Sequence, residues 1–198
     1  MKKVLILDFG GQYNLLIARR VRQSGVFCEI KSYRTPLAEI KAFSPDAVIL
    51  TGGPATVFDE GAPRIDKSVF EMGVPVLGIC YGMQLMVYTL GGDCRKADKR
   101  EYGKVLLNHV SSPLFKDVPD TSVCWMSHGV EVDSLPEGFK TTATSDYCGF
   151  CAVENEEKKL YGVQFHPEVV HTEYGTKILE NFLFEVCGLE KEWKMSSY

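Results

Sequence analysis

The stretch Val74-Pro-Val-Leu-Gly-Ile-Cys-Tyr-Gly-Met-Gln84 joins an apolar run to a second apolar segment through a turn that carries a cysteine. Residues 74–79 follow a glycine and predict a short buried strand. Residues 82–90 contain no internal helix breaker and predict a helix. Gly78-Ile-Cys-Tyr-Gly82 therefore has the G-x-C-x-G form of a nucleophile elbow, with cysteine in place of the usual serine.

The elbow predicts a reactive thiol at Cys80. The nucleophile of an elbow lies on a strained turn, so side chains two residues before and after it would be crowded, and Gly78 and Gly82 occupy those positions. A helix that begins just after Cys80 would bring positive dipole near the sulfur and favour the thiolate. The same pattern also fits a buried cysteine between two packing glycines, so other parts of the chain must distinguish the two.

The composition indicates one domain and excludes several classes of protein. Of 198 residues, 45% are apolar, which is enough for a sizeable core. A net charge of −4 gives no basis for nucleic-acid binding. No apolar run is long enough to span a membrane or to form a secretory signal. Seven cysteines without such a signal predict free thiols in the reducing cytoplasm.

Strands alternate with helices over the first ninety residues. This alternation predicts an α/β fold with an open, mostly parallel sheet flanked by helices. The predicted strands are residues 3–7, 26–30, 46–50 and 74–79, and the predicted helices are residues 12–23, 36–43, 63–72 and 82–90. Since ligands bind at the carboxyl ends of such strands, Thr51-Gly-Gly-Pro54 and Cys80 should face one crevice.

The second half of the sequence has a different pattern. Short alternating runs predict antiparallel strands at one edge of the sheet, at residues 103–108, 122–126, 140–143, 150–154 and 159–165. An apolar face over residues 175–187 predicts a final helix with Gly188 as its C-cap. We therefore expect a domain at residues 1–188, followed at residues 189–198 by a tail or the start of a linker to another domain.

Gln164-Phe-His-Pro-Glu168 supplies a candidate base and its partner. Residues two apart on an extended chain point to the same side, so His166 and Glu168 should project together. A histidine that accepts the proton of a thiol while a carboxylate orients its ring is the arrangement of a catalytic triad. A casual His–Glu pair at the end of a surface strand is the alternative. Gly52-Gly53, usually only a turn, could add an oxyanion donor alongside the N–H of Tyr81.

These separated pieces resemble the class I, or triad, glutamine amidotransferases, over nearly all of residues 1–188. The elbow and the His-x-Glu pair are common to the class, whose fold is flavodoxin-like. Other segments resemble its GMP synthetase branch: Ile6-Leu-Asp-Phe-Gly10 with Gln12-Tyr13, Cys80-Tyr-Gly-Met-Gln84, Arg100-Glu-Tyr-Gly103, Trp125-Met-Ser-His-Gly129 and Tyr161-Gly-Val-Gln-Phe-His-Pro-Glu168.

The resemblance implies catalytic roles. Cys80 would attack the side-chain amide of glutamine, giving a glutamyl thioester and ammonia. His166 would act as base and then as acid, and Glu168 would orient it. The N–H groups of Gly53 and Tyr81 would form the oxyanion hole.

The resemblance also implies residues that bind the substrate. Gln84 lies one helical turn after Cys80 and is suited to hydrogen bond glutamine. Ser127, Gly129 and Val130 match the segment that holds the amino-acid head of the substrate. The family often has Gly-Asp where this chain has Gly129-Val130, so a side-chain role at position 130 is in doubt.

The ammonia requires an acceptor. In the family it passes to a synthetase domain, an ATP-pyrophosphatase that adenylates xanthosine monophosphate (XMP) with ATP and magnesium. This chain has no G-x-x-x-x-G-K-[ST] phosphate loop, so no cofactor or metal is expected in the chain itself. We interpret it as a separate glutaminase subunit or as the amino-terminal part of a longer enzyme.

Several alternatives stay open. Cys148-Gly-Phe-Cys151 could be a redox or zinc motif, although two half-buried structural cysteines fit better because a strand follows and no second ligand pair is well spaced. His128 could be structural or line the pocket, whereas His109 and His171 are expected at the surface. The arginines at 19, 20 and 22 fit a solvated helix face better than a docking face. A cysteine hydrolase on an α/β-hydrolase-like scaffold, a glutaminase serving another synthetase and a non-catalytic interaction domain are the rival functions.

Overall fold

The computed structural model of the chain describes residues 1–194, which form one nine-stranded sheet flanked by helices. The strands are β1 (Lys3–Asp8), β2 (Phe27–Ser32), β3 (Ala47–Leu50), β4 (Val76–Ile79), β5 (Asp93–His109), β6 (Thr121–Ser134), β7 (Lys140–Thr144), β8 (Ala152–Asn155) and β9 (Leu160–Val163). The α-helices are α1 (Asn14–Gln23), α2 (Leu37–Phe43), α3 (Tyr81–Thr89) and α4 (Gly175–Glu180).

The sheet has a parallel and an antiparallel half. Its strand order is β2-β1-β3-β4-β9-β8-β7-β5-β6, in which the first five strands run parallel and the remaining neighbours pair antiparallel. The predicted fold class is therefore confirmed. The strand predicted at residues 159–165 is not only a hairpin partner of β8, because it also pairs with β4 in parallel and so joins the two halves.

The central strands are buried on both faces. Along β1, Val4 and Ile6 belong to one apolar cluster while Leu5 and Leu7 belong to the other, as the two-residue period of a strand requires. Helices α1 and α4 pack on the first face, and α3 packs on the second. Strands that are covered on both sides have continuous apolar sequences. For this reason the positions of β1, β3 and β4 were predicted correctly to within about two residues.

One predicted helix is wrong. Residues 63–72 contain only a 3₁₀ turn, Lys67–Glu71. The Asp66 carboxylate accepts a hydrogen bond from the Ser68 N–H at 2.8 Å, which starts the turn late, and Gly73 ends it at φ +76°. Too few residues remain between these signals for an α-helix.

Strands β5 and β6 are longer than predicted. They span 17 and 14 residues and form the antiparallel pair at the edge of the sheet. Exposed charged residues within β5 interrupt its apolar alternation, so the pattern showed only its apolar end. The extension matters because it places Arg100-Glu-Tyr-Gly103 opposite Trp125-Met-Ser-His-Gly129, with Glu101 paired to His128.

The predicted final helix is confirmed. Helix α4 continues as a π-helical segment, Asn181–Val186, and Gly188 follows at φ +66°. The described part of the tail folds back, since the N–H groups of Glu192 and Trp193 both lie 2.9 Å from the Gly25 carbonyl. The predicted linker beyond residue 194 lies outside the described residues. Among residues 1–194, no helix has the length and apolar character needed to cross a membrane.

Candidate active site

Cys80 lies at the sharp turn between β4 and α3. Its backbone has φ +53° and ψ −110°, a conformation that costs a non-glycine residue free energy. The surrounding backbone holds it there: the Cys80 N–H donates to Val163 O at 2.8 Å, and its carbonyl accepts from the N–H groups of Met83 and Gln84 at 3.1 Å each. The turn therefore presents the thiol at the N-terminus of α3, as the elbow pattern predicts.

The two glycines of the elbow are required by close approach. A Cβ on Gly78 would lie 2.6 Å from the Gly82 carbonyl oxygen, and a Cβ on Gly82 would lie 2.4 Å from the Leu50 carbonyl oxygen. Side chains at these positions would separate β4 from α3 or α3 from β3. The crowding inferred from the sequence is therefore present.

His166 and Glu168 follow β9 and lie beside Cys80. The Nδ1 atom of His166 is 2.7 Å from Oε1 of Glu168, and both side chains are buried. Backbone contacts fix this segment, because the His166 N–H donates to Trp125 O at 3.0 Å and its carbonyl accepts from Thr172 Oγ1 at 2.6 Å. The pair predicted from the His-Pro-Glu sequence is thus formed.

The surroundings of His166 favour its protonated form. Burial alone lowers the pKa of His166, but hydrogen bonds to Cys80 and Glu168, together with the negative charge on both partners, raise this pKa to about 10. The ring lies between a carboxylate and a sulfur, and its raised pKa favours the imidazolium form at neutral pH. A positive charge beside a cysteine is one of the conditions that make such a residue reactive.

The two candidate oxyanion donors, the N–H groups of Gly53 and Tyr81, belong to residues that line the same cavity as Cys80. Tyr81 is the first residue of α3, and the first N–H groups of a helix have no partner within it. A Cβ on Gly53 would lie 2.4 Å from Phe9 O, so only glycine lets this loop after β3 approach so closely. The Tyr81 phenol is not a candidate acid, because burial raises its pKa to about 12 and it donates to Pro63 O at 2.5 Å.

These groups surround one cavity of about 530 Å³ at the carboxyl ends of the parallel strands. All of the site residues predicted from the sequence line it: Cys80, His166, Glu168, Gly53, Tyr81, Gln84, Ser127, Gly129 and Val130. The crevice expected between Thr51-Gly-Gly-Pro54 and Cys80 therefore exists.

Gln84 connects the elbow to the opposite wall of the cavity. Its Nε2 atom donates to Val130 O at 2.9 Å and to Gln164 Oε1 at 3.0 Å. Both amide hydrogens are thus committed to the protein, so a ligand can use only the carbonyl oxygen of Gln84. Val130 makes this contact with Gln84 through its backbone carbonyl and not through its side chain. This agrees with the doubt about a side-chain role at position 130.

Sequence reasoning missed Gln164. This residue is fully buried, and its Nε2 atom lies 3.5 Å from Cys80 Sγ. A signal was present, since Gln164 precedes His166 by two residues and therefore points to the same side of an extended chain. Arg100 and Tyr102 also line the cavity, and only the unpredicted length of β5 brings them there.

The arginines of α1 do not form a uniform solvated face. Arg19 is exposed, but Arg20 Nε donates to the carbonyl of Glu168 at 3.2 Å, and Arg22 Nη2 donates to Cys28 O at 3.0 Å. The expectation of a solvated face is therefore wrong for Arg20, which ties α1 to the segment that carries the His–Glu pair.

The remaining histidines and the C-x-x-C motif have clear positions. His171 is exposed against Trp125, as predicted, whereas His109 is partly buried and stacks on Phe115. His128 is buried and also lines the cavity. The two cysteines of the motif, Cys148 and Cys151, are fully buried rather than half-buried. Cys148 lies close to His128 and Glu101, and within residues 1–194 these three side chains form a group that could hold a metal ion.

The chain is similar in sequence to known proteins of one family. The sequence profile of the family described as glutamine amidotransferase class-I matches residues 5–186. The glutamine-hydrolyzing GMP synthases of Caldicellulosiruptor saccharolyticus and Acetivibrio thermocellus are each 56% identical to the chain over 196 residues. These matches cover 98% of this chain and 38% of each relative. The chain thus spans little more than a third of the length of the curated relatives it matches.

Solved structures share the fold. A protein from Thermoplasma acidophilum, described as a GMP synthase subunit, is 30% identical, with a TM-score of 0.86 over 95% of this chain and 94% of that one. A glutamine amidotransferase from Thermotoga maritima has a TM-score of 0.74 at 20% identity, over 95% and 99% of the two chains, and supports the fold alone. Because the family profile covers nearly the whole chain, this protein belongs to the class-I glutamine amidotransferase family.

Proposed function

We propose that this chain hydrolyses glutamine to glutamate and ammonia through a thioester on Cys80, and that the ammonia is used to aminate XMP to GMP. One observation carries the first part: a cysteine held at φ +53° on a strand-to-helix turn lies beside a buried histidine whose Nδ1 is 2.7 Å from a carboxylate oxygen. A structural cysteine would need neither the strained turn nor the buried His–Glu pair.

The first half-reaction releases ammonia. The thiolate sulfur of Cys80 attacks the carbon of the substrate's side-chain amide, and the C=O electron pair moves onto oxygen. His166, protonated on Nε2, gives its proton to the leaving nitrogen as the C–N bond breaks. The products are ammonia and a glutamyl thioester.

The second half-reaction releases glutamate. His166, now neutral, takes a proton from a water molecule that attacks the thioester carbon, and the C–S bond breaks to restore the thiolate. Glu168 holds Nδ1 of the ring throughout, which keeps Nε2 directed at the reacting atoms. This carboxylate is a positioning residue, because its oxygen contacts the ring and not the substrate.

The N–H groups of Gly53 and Tyr81 are proposed to bind the oxyanion in both half-reactions. A donor of this kind typically contributes roughly 3–4 kcal/mol of transition-state stabilisation. The tight contact of Gly53 with Phe9 O supports the assignment, because it fixes the loop before a substrate arrives.

The amino-acid head of glutamine is proposed to bind at the wall formed by Ser127, Gly129 and Val130. This wall faces Cys80, whose Sγ lies 3.8 Å from Ser127 O. Gln84 Oε1 would accept a hydrogen bond from the substrate, since its amide hydrogens are already used.

The partner is proposed to be a synthetase domain or subunit, an ATP-pyrophosphatase that binds XMP, ATP and Mg²⁺. The supporting observation is that relatives 56% identical to this chain are GMP synthases of which it covers 38%. Their remaining length is enough for the second activity that their name requires. ATP, Mg²⁺ and XMP would bind there and not in this chain.

Ammonia release from glutamine tests both parts. We expect turnover by this chain to increase when a GMP synthetase ATP-pyrophosphatase domain, XMP and ATP–Mg²⁺ are added, with GMP formed. Turnover that is indifferent to the mixture would keep the glutaminase and overturn the proposed pathway. No turnover in either condition, from protein with a native circular dichroism spectrum, would favour a non-catalytic interaction domain of the same fold.

A further inference from the structure

Three side chains that the proposed reaction does not use converge behind the wall of the cavity. They are Glu101 on β5, His128 on β6 and Cys148 in the loop between β7 and β8, and all three are buried. One ligand atom from each, a carboxylate oxygen, a ring nitrogen and a sulfur, lies within 4.8 Å of the other two. Three different types of metal-binding side chain thus lie close together in the protein interior.

The hydrogen bonds of His128 leave one nitrogen directed at the carboxylate. Nδ1 lies 3.1 Å from Val130 O, and only an N–H can occupy that position because the carbonyl is an acceptor. The other nitrogen, Nε2, faces Glu101 Oε1 at 3.2 Å, so these two atoms are placed to share a cation. A ring nitrogen that donates to a backbone carbonyl while the other faces an anionic site is typical of metal-bound histidine.

The serine at position 145 orders the other two side chains. Its hydroxyl lies 2.9 Å from Glu101 Oε2 and 3.2 Å from Oε1, so it helps to hold the carboxylate that His128 contacts. It also closes the loop that carries Cys148, because Ser145 N donates to Cys148 O at 2.9 Å and Cys148 N donates to Ser145 Oγ at 3.2 Å. One residue therefore sets the positions of the carboxylate and the thiol together.

We propose that Glu101, His128 and Cys148 form a site for a borderline-soft divalent cation of the Zn²⁺ class. Thiolate, imidazole and carboxylate are the ligands of zinc, whereas Mg²⁺ and Ca²⁺ prefer oxygen alone. Cys148 loses its proton on binding, so one thiolate and one carboxylate balance the two positive charges of the ion. The fourth position is left for water or for Ser145 Oγ.

The distances suit this cation after a small adjustment. Zinc bond lengths of about 2.0–2.3 Å imply separations of roughly 3.3–3.8 Å between ligand atoms of a tetrahedron. The 3.2 Å between His128 Nε2 and Glu101 Oε1 lies just below that range. The other separations, which are within 4.8 Å, would contract by up to about 1 Å, and the loop around Cys148 can supply this because it is not part of a strand.

The site would stabilise the wall of the cavity. His128 lies between Ser127 and Gly129, which line the cavity, so a bound ion would fix the backbone that faces Cys80. The ion itself would be held beside that backbone, by residues from three segments of the antiparallel half. The role is structural and does not require that the proposed glutamine chemistry is correct.

The test is a titration of the reduced, chelator-stripped chain with Zn²⁺ and with Co²⁺. We expect one ion per chain and, with Co²⁺, the intense visible bands and the thiolate charge-transfer band of a tetrahedral site. The titration is repeated with Cys80→Ala, which removes the other Cys–His pair that could bind the ion, and binding should persist. A folded wild-type chain that binds no ion stoichiometrically, or binding that is lost with Cys80→Ala, would overturn the proposal.

A matched pair of variants locates the ligand. Cys148→Ser should abolish the charge-transfer band. It should also weaken the affinity for the ion by more than roughly 10–100-fold, which is the usual cost of losing a residue that only hydrogen bonds to a metal ligand. Cys151→Ser, three residues away and also buried, should keep both, because the Cys151 sulfur contacts Cys148 O at 3.6 Å and hydrogen bonds to the Cys148 side chain, and a serine hydroxyl can still make both contacts. Equal loss in both variants would contradict the assignment. If neither variant folds, X-ray absorption of the wild-type zinc form decides, since one sulfur and three lighter ligands are expected.

Discussion

The protein contains two buried His–Glu pairs that adjoin the same cavity, and they differ in how the sequence builds them. His166 and Glu168 are two residues apart on one segment, with Nδ1 on the carboxylate and Nε2 left for Cys80. His128 and Glu101 lie opposite each other on two strands, with Nδ1 on a backbone carbonyl and Nε2 on the carboxylate. The same two residue types therefore differ in geometry, because the first pair leaves Nε2 for the sulfur whereas the second engages both ring nitrogens within the protein. We propose proton transfer for the first pair and the binding of a cation for the second.

The largest expected effect separates the two histidines. His166→Gln should lower kcat for glutamine hydrolysis by up to roughly 10⁶-fold, because the base, the acid and the charge beside Cys80 are lost together. His128→Gln should change kcat far less and act mainly on KM, since it faces the carboxylate and not the sulfur. Steady-state kinetics of ammonia release measures both. A similar loss of kcat in the two variants would contradict the proposal that only His166 takes part in the chemical step.

The second largest expected effect separates the carboxylates of Glu168 and Glu101. Glu168→Gln keeps the shape of the side chain but removes the charge that orients the His166 ring, and we expect kcat to fall by roughly 10⁴-fold. Glu101→Gln should leave kcat within a small factor, provided that the variant folds, as its circular dichroism spectrum would show. If Glu101→Gln were the more damaging in kcat, Glu168 would not be the orienting residue.

The raised pKa of His166 predicts how stability depends on pH. The folded state holds a proton up to about pH 10, whereas the unfolded chain releases it near pH 6.5. The contribution of His166 is therefore fully present below about pH 6.5 and is lost as pH rises toward 10, at roughly 1.4 kcal/mol per pH unit. Urea unfolding of the wild type and His166→Gln across this range measures the difference. A difference that grew with pH would have the wrong sign.

The smallest expected effect is on the KM for glutamine, and it comes from changing Gln84, which contacts the cavity wall opposite Cys80. Gln84→Ala removes one acceptor for the substrate and the two hydrogen bonds that hold Val130 and Gln164. A net value of about 1–1.5 kcal/mol per hydrogen bond predicts an increase in KM for glutamine of about five- to tenfold or more. His171→Ala, at an exposed position, is the control and should leave KM unchanged. Unchanged kinetics for Gln84→Ala would remove that residue from the binding site.

The sequence predicted one pair and not the other for a physical reason. A two-residue spacing on an extended segment is visible in the sequence, and so are the glycines that an elbow requires. The contact between Glu101 and His128 depends on the register of β5 and β6, which charged, exposed residues concealed. At Gly53 the sequence was informative but incomplete. The Gly-Gly pair suggested a backbone donor, but only the structure shows that the loop approaches Phe9 O too closely for any residue other than glycine.

The fold was predictable where burial is continuous. The parallel strands have no exposed face, so their apolar runs stand out, and α1 and α4 show clear helical periodicity. The helix expected at residues 63–72 failed because local signals at Asp66 and Gly73 left too little chain between them. The arginine at position 20 was expected in solvent because helical periodicity alone cannot show that the Glu168 carbonyl lies within reach.

The central claim is that Cys80 becomes acylated during turnover, and the adduct can be observed directly. The chain is mixed with excess glutamine, quenched in acid and digested, and the peptides are examined by mass spectrometry. We predict a glutamyl group on the peptide that contains Cys80, removable by hydroxylamine as a thioester is, and absent from Cys80→Ala. An adduct on another residue, or ammonia release by the Cys80→Ala chain, would contradict the account.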